Sequence, residues 1–237
     1  MKLKLFLLFI CLLGLIFLSA SSVLSPEILK LNGVKDFSIG WVGDMVPSSS
    51  ESFDQNAFFY VKEITKSHDL MIGNLEGTFA KENRVSKCFY INTKCHAFRS
   101  GTVLAYALKD AGFNFISLVN NHSYDYGEEG LADTELALRS VGISFISPTK
   151  PTATVLVNNK KIGILGVSST PPLSTITNYE FIKREISKLK ESSDITILVF
   201  HGGAEGSDKT IVTGGYEYLG TENRGNVELV AKTAIDA

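Results

Sequence analysis

LKDAGFNFISLVNNHSYDYGEEGL (Leu108 to Leu131) carries a whole helix-to-strand-to-helix transition in one run of sequence. A helical pattern closes around Leu108 to Ala111, and an apolar run, Phe113 to Val119, follows it. That run stops abruptly at Asn120, Asn121 and His122, and Gly127 and Gly130 then open the next helical pattern. A short apolar run bounded in this way reads as a buried strand, and its polar terminus lies at the carboxyl edge of a sheet. A histidine just beyond such a strand needs a polar partner.

The same grammar repeats on both sides. Strands are predicted at Phe37 to Val42, Leu70 to Asn74, Ser144 to Ile146, Thr154 to Val157, Lys161 to Val167 and Ile195 to Phe200. Helices are predicted at Phe53 to Lys66, Thr102 to Ala111, Glu128 to Ser140, Asn178 to Ser192 and Asn226 to the C-terminus, from apolar residues at three- and four-residue spacing. Asn158 and Asn159 mark a local antiparallel hairpin. With no internal repeat or low-complexity linker, Phe37 to Ala237 is expected to form one α/β domain.

The composition agrees. The chain has 237 residues, 44% apolar and 20% charged, with a formal net charge of -2. That excludes disordered, collagenous and polytopic membrane classes, and it leaves no basic excess to hold a nucleic acid. Lys2 and Lys4 precede an apolar run from Leu5 to Leu18, followed by small residues Ser19 to Ser22, the layout of a secretory signal. Residues 1–22 are therefore expected to direct export, either cleaved or retained as an anchor. In an oxidising compartment Cys88 and Cys95, seven residues apart, are expected to form a local disulfide worth about 2–3 kcal/mol in the chain-entropy model. A metal clip with His96 is the competing reading.

Four strand ends present polar groups to one rim: Asp44 after Gly43, Asn74 with Glu76, Asn120 to His122, and His201 before Gly202-Gly203. Ligands lie beyond the carboxyl ends of strands in open α/β sheets. Each residue alone also has an ordinary reading as a turn or a cap. Repeated at successive strand ends, carboxylates, amide and imidazoles without thiolates suit Mg, Mn, Fe or Zn, in a site able to polarise a phosphoryl group. His68 at a helix end and His96 beside the disulfide read as structural.

GDMV (43–46), GNLEG (73–77), the opening stretch (108–131) and HGGAEG (201–206) together resemble the bacterial capsule-synthesis family, typified by CapA and poly-γ-glutamate synthesis proteins. The resemblance runs from about Phe37 to the end. It implies the fold of calcineurin-like metallophosphoesterases, a two-sheet sandwich flanked by helices in α/β/β/α layers. It also implies an exported or membrane-anchored protein serving an envelope polymer or its precursor, with membrane-bound capsule-synthesis components as further partners.

Carried over by position, Asp44, Glu76, Asn121 and His201 would be metal ligands, and the complete family site would be dinuclear. Asn121 and His122 would be catalytic, with Asp125 fixing the His122 tautomer. Asn74, Asp125, Glu205 and Arg224 would bind substrate, Arg224 as an anion clamp. The family pattern continues past the helix at Asn226 into another strand and a GH-x-PH type motif, so the resemblance implies a domain incomplete at its C-terminus. Three functions are compatible with these features: a metal-dependent hydrolase or transferase acting on a phosphate- or carboxylate-bearing substrate, a non-catalytic component of polymer assembly and export, and an inactive truncated remnant.

Overall fold

The structure is a computed structural model that describes residues 37–47, 57–91, 94–169 and 175–237. The expected signal segment lies outside these residues. Sheet one is entirely parallel, in the order β1 (Ile39–Met45), β2 (Leu70–Leu75), β3 (Phe115–Ser117), β4 (Ser144–Ile146). Helices α1 (Lys62–Thr65), α2 (Leu104–Asp110) and α3 (Gly127–Ser140) connect these strands. Every residue of β2 is buried, as expected for a parallel strand covered on both faces.

Alternation along the strands sorts side chains between two cores. Met71, Leu75 and Ile116 pack with Leu104, Leu108, Leu131 and Leu138 of α2 and α3. Leu70, Ile72 and Phe115, one residue out of phase, pack with Ile162, Ile164 and Val199 of the second sheet. Sheet two comprises β5 (Thr152–Val157), β6 (Lys160–Ser168) and β7 (Ile195–His201). Its outer face, Leu165 and Val167, is covered by Ile182, Ile186 and Leu189 of α4 (Tyr179–Ser192) and Val230 of α5 (Val227–Asp236). The layers are therefore helix, sheet, sheet, helix, the sandwich expected above. At Gly166 of β6 there is no room for a side chain: a Cβ there would lie 2.6 Å from Ile146 Cδ1 and 2.8 Å from Val119 Cγ2.

Local chemistry explains several boundaries. Asn158 (φ 48°) and Asn159 (φ 64°) take the left-handed conformations of a two-residue hairpin between β5 and β6. Asn178 caps α4 by accepting from Phe181 N at 3.0 Å, and Asn226 caps α5 by accepting from Leu229 N at 2.9 Å. Other boundaries depart from the sequence reading. The expected helix Phe53 to Lys66 is helical only at α1, with turns at residues 57–61 and residues 53–56 outside the description.

The expected strand Phe113 to Val119 keeps only its centre. At its start, Asn114 uses its side chain, accepting from Met71 N at 2.8 Å and donating to Asp69 O at 2.9 Å. At its end, Asn120 N turns back to Leu118 O at 3.2 Å. A small antiparallel hairpin, β8 (Glu217–Leu219) and β9 (Glu222–Gly225), was not expected. Among the described residues no helix is long and apolar enough to cross a membrane.

Candidate metal centre

The first strand runs further than expected because of a bulge. Val42 pairs with Gly73 but Asp44 with Asn74, so Gly43 is the extra residue that re-aims the chain. Asp44 thereby faces the end of β2, where Asn74 Nδ2 donates to its Oδ1 at 2.6 Å. Asn74 is held in turn by Asn120, whose Nδ2 donates to Asn74 Oδ1 at 3.0 Å and to Leu75 O at 2.8 Å. Asn120 Oδ1 also accepts from His122 N at 3.0 Å. One buried amide therefore ties β2 to the turn that carries His122. Sequence reasoning had noted Asn120 only as a strand end and missed this bracket.

From sheet two, β7 delivers His201 opposite Ser168 of β6 and into the same cluster. Its Nδ1 lies 3.5 Å from Asp44 Oδ1 and its Nε2 lies 3.6 Å from Glu76 Oε1. Asp44, Glu76 and His201 each offer one ligand atom, and all lie within 4.8 Å of one another. His122 joins through Nε2, 3.8 Å from Glu76 Oε1, while its Nδ1 is 2.8 Å from Asp125 Oδ2. Phe98 covers the His122 ring at a centroid distance of 4.5 Å, and His96 stacks on Phe98 in turn. His68 instead packs against Gly40 and Met71 near the start of β1.

The electrostatics of the cluster are those of a site short of positive charge. Burial pushes the Glu76 carboxyl up, the neighbouring Asp44 carboxylate adds to this, and His201 and His122 oppose it. Hydrogen bonding from His201, helped by Asn74, holds Asp44 below the usual carboxylate range against its partial burial. Asn121 Oδ1 is buried and has no hydrogen-bond partner among the described residues. The two carboxylates and the imidazole form a donor set that fits a hard or borderline divalent cation.

Arg224 is 1% exposed, and its guanidinium is spent on protein acceptors. It donates to Gly203 O at 3.1 Å, Glu205 Oε1 at 2.8 Å and Glu222 Oε1 at 3.2 Å, and Nη2 lies 3.4 Å from His201 Nε2. Ser169 Oγ supports Glu222 at 2.9 Å. Glu205 and Arg224 thus lie together beside His201, with Arg224 bracing the loop after β7. The Cys88–Cys95 disulfide is formed, with a Cα–Cα distance of 5.6 Å. Lys87, unremarked in the sequence, places Nζ 2.6 Å from Asp125 Oδ1. Neither the Lys87 contact nor the bracketing role of Asn120 could be found without knowing which loops meet.

Known proteins are similar in sequence to this chain over half of its length or more. The PGA biosynthesis protein CapA of Bacillus subtilis (strain 168) is 26% identical over 202 residues, 76% of this chain and 50% of that protein. The capsule biosynthesis protein CapA of Bacillus anthracis is 24% identical over 177 residues, 64% of this chain and 41% of that protein. A 5'-nucleotidase of Diplobatis ommata is 30% identical over 140 residues, 53% of this chain and 23% of that protein. The chain thus spans half or less of the length of these curated relatives. The family model described as bacterial capsule synthesis protein PGA_cap matches residues 38–211, from the first residue before β1 to the loop beyond His201, and on that match the chain belongs to the PGA_cap family.

Proposed function

We propose that this member of the capsule-synthesis family binds a divalent cation at its rim and acts as a phosphoesterase-like hydrolase or transferase on a phosphate- or carboxylate-bearing envelope substrate. The observation that carries the reading is the convergence of Asp44, Glu76 and His201 ligand atoms within 4.8 Å. These residues, with Asn121 through its amide oxygen, would hold Mn, Mg, Fe or Zn, singly or as a pair. The ion would supply Lewis-acid polarisation of the substrate oxygen and a bound water of lowered pKa.

The remaining steps belong to the chain's own side chains. His122, with Nδ1 against Asp125 and Nε2 turned toward Glu76, is set to pass a proton at Nε2 to or from a leaving group. Asn74 keeps Asp44 oriented, and Arg224 keeps the loop after β7, with Glu205, beside His201. We further propose that the protein works outside the cytoplasm, free or anchored by its N-terminal segment, on an envelope polymer or its precursor and beside membrane-bound capsule-synthesis components. The disulfide supports that placement, since such bonds persist in oxidising compartments.

Titration calorimetry with MnCl2 and ZnCl2, together with turnover of bis(p-nitrophenyl) phosphate, tests the reading. Saturable uptake that is lost in Asp44→Ala, with turnover lost in His122→Ala, is the expected result. Absence of any cation uptake would overturn it. Uptake with no turnover dependent on His122 would instead favour a non-catalytic component of polymer assembly.

A further inference from the structure

Asp125 is fully buried, yet it sits three residues after His122 on a segment whose neighbours are polar. Its two oxygens are used differently. Oδ2 faces His122 Nδ1 at 2.8 Å and accepts from Phe98 N at 2.6 Å. Oδ1 lies 2.6 Å from Lys87 Nζ and has no other partner among the described residues. Lys87 also donates its backbone N–H to Asp125 O at 2.7 Å, and its Nζ reaches Asn121 O at 3.4 Å. Among the described residues Lys87 is therefore the one lysine or arginine paired with this carboxylate, which protein encloses. A buried carboxylate deprived of its partner reorients or draws in water.

Lys87 and Phe98 lie on the two stems of the loop closed by Cys88–Cys95. Lys87 immediately precedes the first cysteine, and Phe98 follows the second by three residues. Both stems grip Asp125, and the Phe98 ring lies against His122. The bridge ties the stems together, so it also limits how far Lys87 can leave the carboxylate.

We infer that Lys87 is a positioning residue: acting through Asp125 it fixes the His122 imidazole, with the Cys88–Cys95 bridge holding Lys87 at its post. The inference rests on the reading of His122 as the proton-handling group of the rim. It goes further by making the disulfide loop part of that machinery rather than a remote staple. Arginine at the same position would keep the charge on Oδ1, whereas methionine would keep the aliphatic stem and remove the charge.

The test is proton–nitrogen NMR of the imidazole groups in the full chain labelled with 15N-histidine, with the His122 signals assigned by their loss in His122→Gln. The wild type should show a slowly exchanging His122 Nδ1–H. Lys87→Met should lose that signal, and Lys87→Arg should retain it. The double variant Cys88→Ser/Cys95→Ser should exchange the proton faster than the wild type. Circular dichroism and Mn uptake equal to wild type would show that the fold and the cation ligands persist. If Lys87→Met does not fold, Lys87→Gln, which keeps a donor but no charge, is read in its place.

An unchanged His122 signal in the neutral variant would overturn the inference. An unchanged signal in the double serine variant would overturn the part assigned to the bridge. Where the wild type turns over bis(p-nitrophenyl) phosphate, Lys87→Met should lower kcat about 10- to 100-fold at unchanged KM. A raised KM at unchanged kcat would mean that Lys87 meets the substrate directly, and would count against the inference. Absence of turnover in the wild type would count against the hydrolase reading alone, since the NMR result stands without it.

Discussion

On the sheet-one side of the rim, Asp44, Asn74 and Asn120 are joined by side-chain hydrogen bonds of 2.6 and 3.0 Å. On the sheet-two side, the His201 ring nitrogens lie 3.4 to 3.6 Å from Arg224, Asp44 and Glu76. The first half grows from the end of β2, buried along its whole length, and from the ends of its neighbours β1 and β3, and its links run between short amide and carboxylate side chains. The second half hangs on Arg224, a buried guanidinium whose partners Glu205 and Glu222 lie on the partly exposed segment after β7. The difference teaches where the preorganisation lies: in the first half hydrogen bonds join the rim side chains directly, and in the second they hold the Arg224 loop rather than the His201 ring.

Loss of a ligand on either side should have the largest effect. Asp44→Ala and His201→Ala should each weaken Mn or Zn binding by more than about 100-fold, since even outer partners of metal ligands are worth about 10- to 100-fold. Calorimetry checks this, and retained affinity in either variant would remove that half from the centre. Next, Asn74→Ala should destabilise the fold by about 2–3 kcal/mol in urea unfolding. It strips a donor from Asp44 and leaves the Asn120 amide short of an acceptor. A loss that small substitutions on the sheet-two side equal would erase the contrast between the halves.

A third expectation concerns the brace under the sheet-one half. Arg84 Nε contacts Asp133 Oδ2 at 2.7 Å, which helps hold the Asp133 carboxyl down at about 2. A depressed folded-state value means that this stability is present above the ordinary carboxylate range and is lost as the pH falls through about 2. Acid unfolding between pH 4 and 2 should therefore be less steep in Asp133→Asn, by about 1–2 kcal/mol. The smallest effect belongs to Glu205→Gln. Its half-exposed ion pair with Arg224 should contribute under about 1 kcal/mol, measured as a change in thermal midpoint. A larger loss would show that the sheet-two half is also tightly preorganised.

Much of this was legible before any coordinates. The predicted strands Leu70 to Asn74 and Lys161 to Val167 were legible because their apolar stretches, Leu70 to Ile72 and Ile162 to Val167, must be covered on both faces, and these stretches are buried. Asn178 and Asn226 mark helix starts, and Asn158-Asn159 marks a hairpin, because these roles depend on a residue's own backbone and near neighbours. The ligand candidates Asp44, Glu76 and His201 stood out because each lies at or just beyond the end of an apolar run. The region Phe53 to Lys66 misled because amphipathic spacing also suits turns that pack one side chain, as Phe58 does on Phe113.

By itself, then, the sequence determined the order of strands and helices apart from the β8–β9 hairpin, the α/β class, the starts of α4 and α5, the β5–β6 turn, and which polar residues end at a strand edge. These follow from local periodicity and from the conformational preferences of single residues. Only the tertiary structure decided that the ends of two different sheets share one rim. It also decided that the Gly43 bulge turns Asp44 toward Asn74, that Asn120 brackets both, and that Lys87 closes on Asp125 from a disulfide loop 38 residues earlier in the chain. Those are contacts between distant segments. They form because parallel strands bring their carboxyl ends together and because a buried amide or carboxylate must find its partner wherever the fold has placed one.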